Sequence, residues 1–223
     1  TADDAFVPTG KTGLTSVFCV CKNRLFMLLK NGYIAYSDPL TPWDLTNSID
    51  NGGYVKLPAE YGAPIALTAA GEYVYVIFRQ VIMRLTVKGS GRDFCLEKIA
   101  YGGAKVLYGS VCALPDGVVF LAQDGVWTVR DREAKRLCEG LAVFTPSQEY
   151  ESNAAVYRDK YFLRYYNENG APVSLAINLD GGNWSYCFDL PMLSEGFDAP
   201  VFVNVQTLFR LGSAYLPGRV KSV

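Results

Sequence analysis

Short runs of apolar and aromatic residues recur along the chain, separated by polar turns, and four segments share one order. Each has an apolar strand, a polar turn, a more strongly apolar strand, a tight turn and a third strand. The second strands read "LFMLL" from Leu25, "YVYVIF" from Tyr73, "VVFLA" from Val118 and "YFLRYY" from Tyr161, with a weaker fifth, "LFRLG", from Leu208. Their starts recur at intervals of about 45 residues. They are apolar on successive positions and not alternating, which predicts that each is covered on both faces. Helical periodicity does not extend beyond two turns anywhere.

After three of these strands come Asn31-Gly32, Asp124-Gly125 and Asn169-Gly170. Such dipeptides accept positive φ at low cost, and a two-residue turn of that kind matches the right-handed twist of a hairpin. Arg79-Gln80 stands at the equivalent place in the second segment, which predicts another turn type or a longer loop there. Fourth strands are expected at Gly53 to Leu57, Asp93 to Ile99, Ala134 to Glu139 and Asn183 to Phe188.

A four-stranded antiparallel unit repeated at this period is a β-propeller blade. The expected fold is therefore all-β, a β-propeller of about five four-stranded blades forming a single domain over residues 1–223. The blades fall near 14–57, 63–100, 109–140, 152–189 and 199–216. The last is too short for a whole blade, so residues near Ala5 to Val7 are expected to complete it and close the ring. The alternative is an irregular β-sandwich with evenly spaced strands.

Composition agrees with a packed core: 50% of the 223 residues are hydrophobic, 19% charged and 13% aromatic. Lys and Arg number 21 against 22 Asp and Glu, a net charge of -1 that gives no global pull toward nucleic acid or an anionic membrane. The N-terminal "TADDAFVPTG" lacks the regions of a signal peptide, and the longest aliphatic-aromatic run, Tyr73 to Phe78, is far short of a membrane span. The chain begins at Thr1 without Met, so it reads as a trimmed or processed piece and a removed signal stays open. Cys19, Cys21, Cys95, Cys112 and Cys187 lie in apolar runs and Cys138 at the edge of one, which predicts six reduced core thiols and assembly in a reducing cytoplasm. A long-range bridge between neighbouring strands stays open.

Candidate chemistry is sparse. The chain has no histidine, which removes Ser-His-Asp and Cys-His nucleophile arrangements and the H-E-x-x-H zinc site. No phosphate-binding Gly-Lys loop and no Asp-rich calcium loop is present. A propeller glycosidase works with carboxylates, and the candidates are Asp116, Asp124, Asp159, Asp180 and Asp189. All but Asp189 sit in turns, where an Asp usually bonds its own backbone.

"INLDGGNW", Ile177 to Trp184, is faintly similar to the Asp-box of sialidase-type propellers through Asn178, Asp180, Gly182 and Trp184. Its aromatic comes one residue early, so it reads as a turn followed by an edge strand. Trp43-Asp44 lies in the Pro-rich "SDPLTPWD" and is not a WD40 signature, and the Gly-Gly pairs at 52-53, 102-103 and 181-182 do not keep a kelch register. "RDREAKR", Arg130 to Arg136, reads as a solvated hairpin more than a phosphate contact, because Asp131 and Glu133 interleave with its bases. "RYYNENG" offers a stacking platform, although one of Tyr165 and Tyr166 must face the core.

The order of features resembles a known group. "YSDP", then Pro42-Trp43-Asp44, "APIALT", "FCLEKIAYGGAKVLYGS" from Phe94 to Ser110 and "VVFLAQDGVWTV" from Val118 resemble propeller proteins of tailed-phage particles, of the head-to-tail connector or packaged-DNA-stabilisation type. The similarity spans about Asn23 to Phe188, and its most recognisable pieces are Gly109-Ser110 opening a blade and Phe120-Leu121 followed by Asp124-Gly125-Val126-Trp127.

The resemblance implies a non-enzymatic virion component that docks under the portal channel, helps retain packaged DNA and offers a platform for tail parts. Its implied partners are portal, adaptor or tail proteins, and copies of itself, with no specific nucleic-acid site, no membrane and no cofactor. It would be assembled in the host cytoplasm. The chain is shorter than many members of that group, and no site residue is carried over. Behind this reading stand an extracellular carbohydrate- or ligand-binding bacterial propeller and then a glycosidase.

Overall fold

The computed structural model describes residues 14–41, 52–89, 93–138, 146–147 and 152–186, with backbone alone for 14–16 and for the strands at 193–194, 201–204 and 207–210. The strands form sheets strictly in chain order. The first is β1 (Leu14–Cys21), β2 (Arg24–Leu29), β3 (Tyr33–Tyr36) and β4 (Gly53–Lys56). The second is β5 (Ala66–Ala70), β6 (Tyr73–Ile77), β7 (Ile82–Thr86) and β8 (Cys95–Ile99). The third is β9 (Cys112–Leu114), β10 (Gly117–Ala122), β11 (Gly125–Arg130) and β12 (Glu133–Arg136). The fourth is β13 (Asn153–Tyr157), β14 (Lys160–Tyr166), β15 (Pro172–Asn178) and β16 (Trp184–Tyr186). A three-stranded fifth holds β17 (Leu193–Ser194), β18 (Val201–Asn204) and β19 (Thr207–Arg210).

The all-β expectation and the blade-like sheets are thus observed, and the fifth sheet opens earlier than expected, at Leu193. The proposed completing strand near Ala5 to Val7 lies outside the described residues, as do Trp43, Asp44, Cys187 and Asp189. The helical content described is 3-10 only, a turn at Ala59–Tyr61 and the residue Asp93.

Meandering sheets form because each strand's apolar positions find cover before the next turn. β6 and β10 are buried along nearly their whole length, so nothing in them alternates. β14 departs from the expectation of two covered faces: Tyr161, Leu163 and Tyr165 are buried while Phe162, Arg164 and Tyr166 are half-buried. Its two cations, Lys160 and Arg164, fall on the same face as Phe162 and Tyr166, and charged heads keep that face near water.

Packing divides the chain into two compact units. One, formed by 1–102 with 115–118 and 130–133, has a core that includes Phe26, Ile34, Val74, Val76, Phe78 and Leu85. The other, formed by 103–114, 119–129 and 134–223, has a core that includes Val119, Leu121, Val126, Tyr161, Leu163 and Leu175. In the second unit Ser110 is a buried connector. Its hydroxyl donates to the Leu107 carbonyl at 2.7 Å and accepts the Leu121 N–H at 3.1 Å, while its own carbonyl accepts the Tyr161 hydroxyl at 2.6 Å. Gly109 beside it has φ +72°, and a Cβ there would fall 1.9 Å from the Ser152 carbonyl oxygen, so the chains approach through the missing side chain.

The turns differ from the sequence expectation. Asn31-Gly32 closes a three-residue loop in which only the glycine has positive φ, with the Gly32 N–H donating to Leu29 O at 3.2 Å. Asn169-Gly170 lies in a five-residue loop from Asn167 to Ala171, tied by the Gly170 N–H to Asn167 O at 2.9 Å and by the Asn167 side chain, which accepts the N–H groups of Asn169 and Ala171. Gln123 and Asp124 make the turn of the third sheet, and Gly125 already opens β11. A glycine after an α-type turn serves the left-handed position of a bulge, which explains the longer loops. Two-residue turns with positive φ occur one strand earlier, at Lys22-Asn23 (φ 48° and 60°), which joins Cys21 to Arg24.

Cysteine placement also needs one correction. Cys21, Cys112 and Cys138 are buried and Cys19 is partly so, but Cys95 is exposed at the start of β8. Its neighbour Leu96 packs against the core cluster, and successive strand residues point to opposite faces, so Cys95 points away from Leu96 at the open end of β8. Burial pushes the Cys19 thiol up to about 12 and the Cys138 thiol up to about 11, which leaves both protonated near neutrality.

Candidate functional site

Of the candidate acids in turns, Asp116 and Asp124 are engaged through their carboxylates, and Asp159 and Asp180 are tied through backbone groups. Asp116, between β9 and β10, pairs with Arg130 at 3.5 Å. Asp124 accepts the Trp127 indole N–H at 3.0 Å and the Ala104 N–H at 3.2 Å, so it pins β11 to the segment before β9. Asp159 offers its carbonyl to the Leu179 N–H at 2.8 Å, and the Asp180 N–H donates to Asn178 Oδ1 at 2.9 Å. The Asp124 side chain thus bonds in the way expected of Asp in a turn, whereas Asp159 and Asp180 contribute backbone groups to theirs.

The segment similar to an Asp-box is a turn running into β16. Gly182 has φ +68° and donates its N–H to Asn178 O at 2.9 Å, and a Cβ there would lie 2.1 Å from Leu137 O. Trp184 and Tyr186 form an edge-to-face pair at 5.4 Å, with Tyr186 56% exposed. In "RYYNENG", Tyr165 is the core residue, and the Arg164 guanidinium lies 5.9 Å from the Tyr166 ring. Among the described residues no three His, Cys, Asp or Glu side chains are placed to hold a metal, and no helix is long and apolar enough to cross a membrane.

Where charge does converge is a place the sequence reading passed over. Arg84 sits in the middle of β7 between Met83 and Leu85, and the strand register puts it opposite Tyr75 on β6 and Glu97 on β8. Residues opposite one another in a sheet share a face, so the row Tyr75, Arg84, Glu97 follows from pairing alone. Arg84 donates through Nε and Nη2 to Glu97 Oε1, at 2.8 and 2.5 Å, and through Nη1 to Asp131 in the turn between β11 and β12. Tyr73, on the same face as Tyr75, places its ring centroid 4.1 Å from the Arg84 guanidinium carbon. Arg132 closes the group with Nη2 at 3.0 Å from Glu97 Oε2.

The side chain of Arg84 is 3% exposed, a burial that its two carboxylates make tolerable. Desolvation lowers the Arg84 pKa, but Asp131 and Glu97 outweigh it and hold the group protonated. Burial pushes the Glu97 carboxyl up, while Arg84 and then Arg132 pull it further down, to a net value below the usual range. The Tyr75 hydroxyl is fully buried and, among the described residues, meets no hydrogen-bond partner of good geometry, and burial raises its pKa against the nearby Arg84 charge and side chain.

The expected solvated hairpin at Arg130 to Arg136 is therefore a hairpin, but Asp131 and Arg132 turn their charges back onto the second sheet. The sequence signal was a lone arginine inside the apolar run "VIMRLTV". A second arginine, Arg24, opens β2 in the same way. It is buried, donates to Ser37 O at 2.8 Å, and lies 5.8 Å from the Tyr36 ring and 5.7 Å from that of Phe94.

No protein-family model matches the chain, and no curated protein matches it in sequence. Among solved structures it is similar to the N-terminal domain of Nup159, with a TM-score of 0.52 at 11% identity over 89% of this chain. It is also similar to the AfRom2 CNH domain, with a TM-score of 0.51 at 12% identity over 94% of this chain and 71% of that one. A third similarity is to Prp20p of Saccharomyces cerevisiae, with a TM-score of 0.50 at 10% identity over 86% of this chain. The chain spans 57% of the Nup159 structure and 56% of Prp20p. At such identity the likeness concerns the fold alone: an all-β, propeller-like arrangement of four-stranded antiparallel sheets.

Proposed function

We propose that this protein is a non-enzymatic interaction scaffold, a structural propeller of a tailed-phage particle acting at the head-to-tail connection or as a platform for tail parts. The observation that carries the scaffold reading is the use of its charged groups. The carboxylates of Asp116 and Asp124 are engaged in an ion pair and in a turn, and the cluster around Arg84 is internally matched. A rigid sheet framework with its charges so engaged presents its loops and outer surfaces to partners. Prp20p, similar in fold, has been characterised for binding Gsp1p and histones, which shows a protein-binding use of such a scaffold in another chain. The phage setting is supported by the resemblance across about Asn23 to Phe188.

The deciding experiment is mass spectrometry of density-purified particles from an induced culture of the source organism, paired with a glycan-binding screen of the purified chain. Presence at fixed stoichiometry in particles upholds the proposal and gives the copy number. Absence from well-formed particles overturns the phage setting, and saturable sugar binding would replace it with the binding-propeller reading.

A further inference from the structure

Arg84 is where two hairpins far apart in sequence share one charge. Glu97 reaches it from the neighbouring strand of its own sheet, and Asp131 from the β11–β12 turn. The two carboxylates differ in setting. Glu97 is 25% exposed and lies within the sheet, whereas Asp131 is 73% exposed and stands on left-handed backbone at φ 51°. Beneath the arginine lie the Tyr73 ring and the buried Tyr75 hydroxyl. Next to the ion pairs, Glu133 makes a parallel β-bridge with Ala100, just past the end of β8. A guanidinium this deeply placed cannot be solvated where it stands, so it keeps its carboxylates or the chain above it lifts.

We infer that the tip of the β11–β12 hairpin is an acid-released latch: Asp131 and Arg132 close it over Arg84 and Glu97, and neutralising the carboxylates lifts the tip from the second sheet. The charged and titratable groups facing the arginine are Tyr73 and Tyr75 on β6, Glu97 on β8, and Asp131 and Arg132 on the tip. The chain has no histidine, and Glu97, whose pKa Arg84 and Arg132 draw down, is the member that loses its charge in acid.

The sign follows from Glu97. Its folded pKa is depressed, so its contribution is complete above its unfolded value of about 4.3 and is lost as pH falls through the folded value. Arg84 stays cationic throughout and is then left buried opposite a neutral Glu97. Lifting the tip breaks the Ala100–Glu133 bridge and uncovers the outer strand of the second sheet, a two-state element of the kind that ion switches bias.

Hydrogen–deuterium exchange of the full chain, corrected for intrinsic rates and followed from pH 7 to pH 3, tests this. The tip peptide around Asp131 is compared with the Arg158-Asp159 turn as an internal control. Protection of the tip is expected to fall about tenfold or more relative to the control before global unfolding, about 1.4 kcal/mol for each tenfold. Asp131→Asn, which keeps the backbone preference and removes the charge, is expected to loosen the tip already at pH 7. Arg84→Met, which removes the buried charge, is expected to abolish the pH dependence. Release of tip and control together, or a tip in Asp131→Asn as protected as in the parent chain, overturns the inference. Should Arg84→Met fail to fold, the Asp131→Asn comparison decides alone, because that side chain is mostly exposed.

Discussion

β10 and β14 hold the same place in their sheets, second of four, yet one is sealed on both faces and the other on one. β10 reads Gly117 to Ala122 without a charge, and every residue in it is buried. β14 carries Lys160 and Arg164 among its aromatics, and burial alternates residue by residue. Repeat position sets the fold of a strand, while its charges set how much of it can be taken from water. The lesson is that equivalent strands are not equivalent in stability.

Alanine substitution tests the contrast most severely. Phe120→Ala in β10 should cost about 3–5 kcal/mol by urea denaturation, because its side chain is fully buried. Phe162→Ala in β14 should cost less than half of that, since the residue is half-buried. Equal costs would break the comparison and mean that the outer face of β14 is as closed as β10.

Gly125→Val, at the start of β11, should cost about 2–3 kcal/mol and lower the melting temperature. The residue has φ +135°, and a Cβ would lie 3.1 Å from the Cys138 carbonyl oxygen. An unchanged melting temperature would show that the hairpin after β10 can relax.

Smaller effects sharpen the picture from the β14 side. Tyr161→Phe removes the buried hydroxyl bonded to Ser110 O and should cost about 1–1.5 kcal/mol with no change in fold by circular dichroism. Arg164→Ala should cost at most about 1 kcal/mol, because the residue lies on the half-buried face of β14. A larger loss would show that this face is more closed to water than its burial pattern implies.

Strand content, sheet order and the burial of β6 and β10 were legible because they rest on local runs of apolar residues. The half-open face of β14 was also written in the sequence, as two cations four residues apart, but a count of apolar residues hides it. Turn type was misread because an Asn-Gly pair fits either a two-residue turn or the left-handed end of a longer one, and strand register decides between them. The Arg84 cluster was half legible. Its row with Glu97 follows from pairing β7 with β8, whereas Asp131 arrives from a different sheet, 47 residues away, which no local pattern encodes.

The bonds that shape the Asn-Gly turns also bear on how this protein ages. An asparagine before glycine deamidates when the glycine nitrogen attacks the side-chain amide to form a succinimide. In both turns that nitrogen is engaged, Gly32 with Leu29 O and Gly170 with Asn167 O. The folded chain therefore slows its own chemical clock at Asn31 and Asn169, and the clock runs at full speed only once the hairpins open.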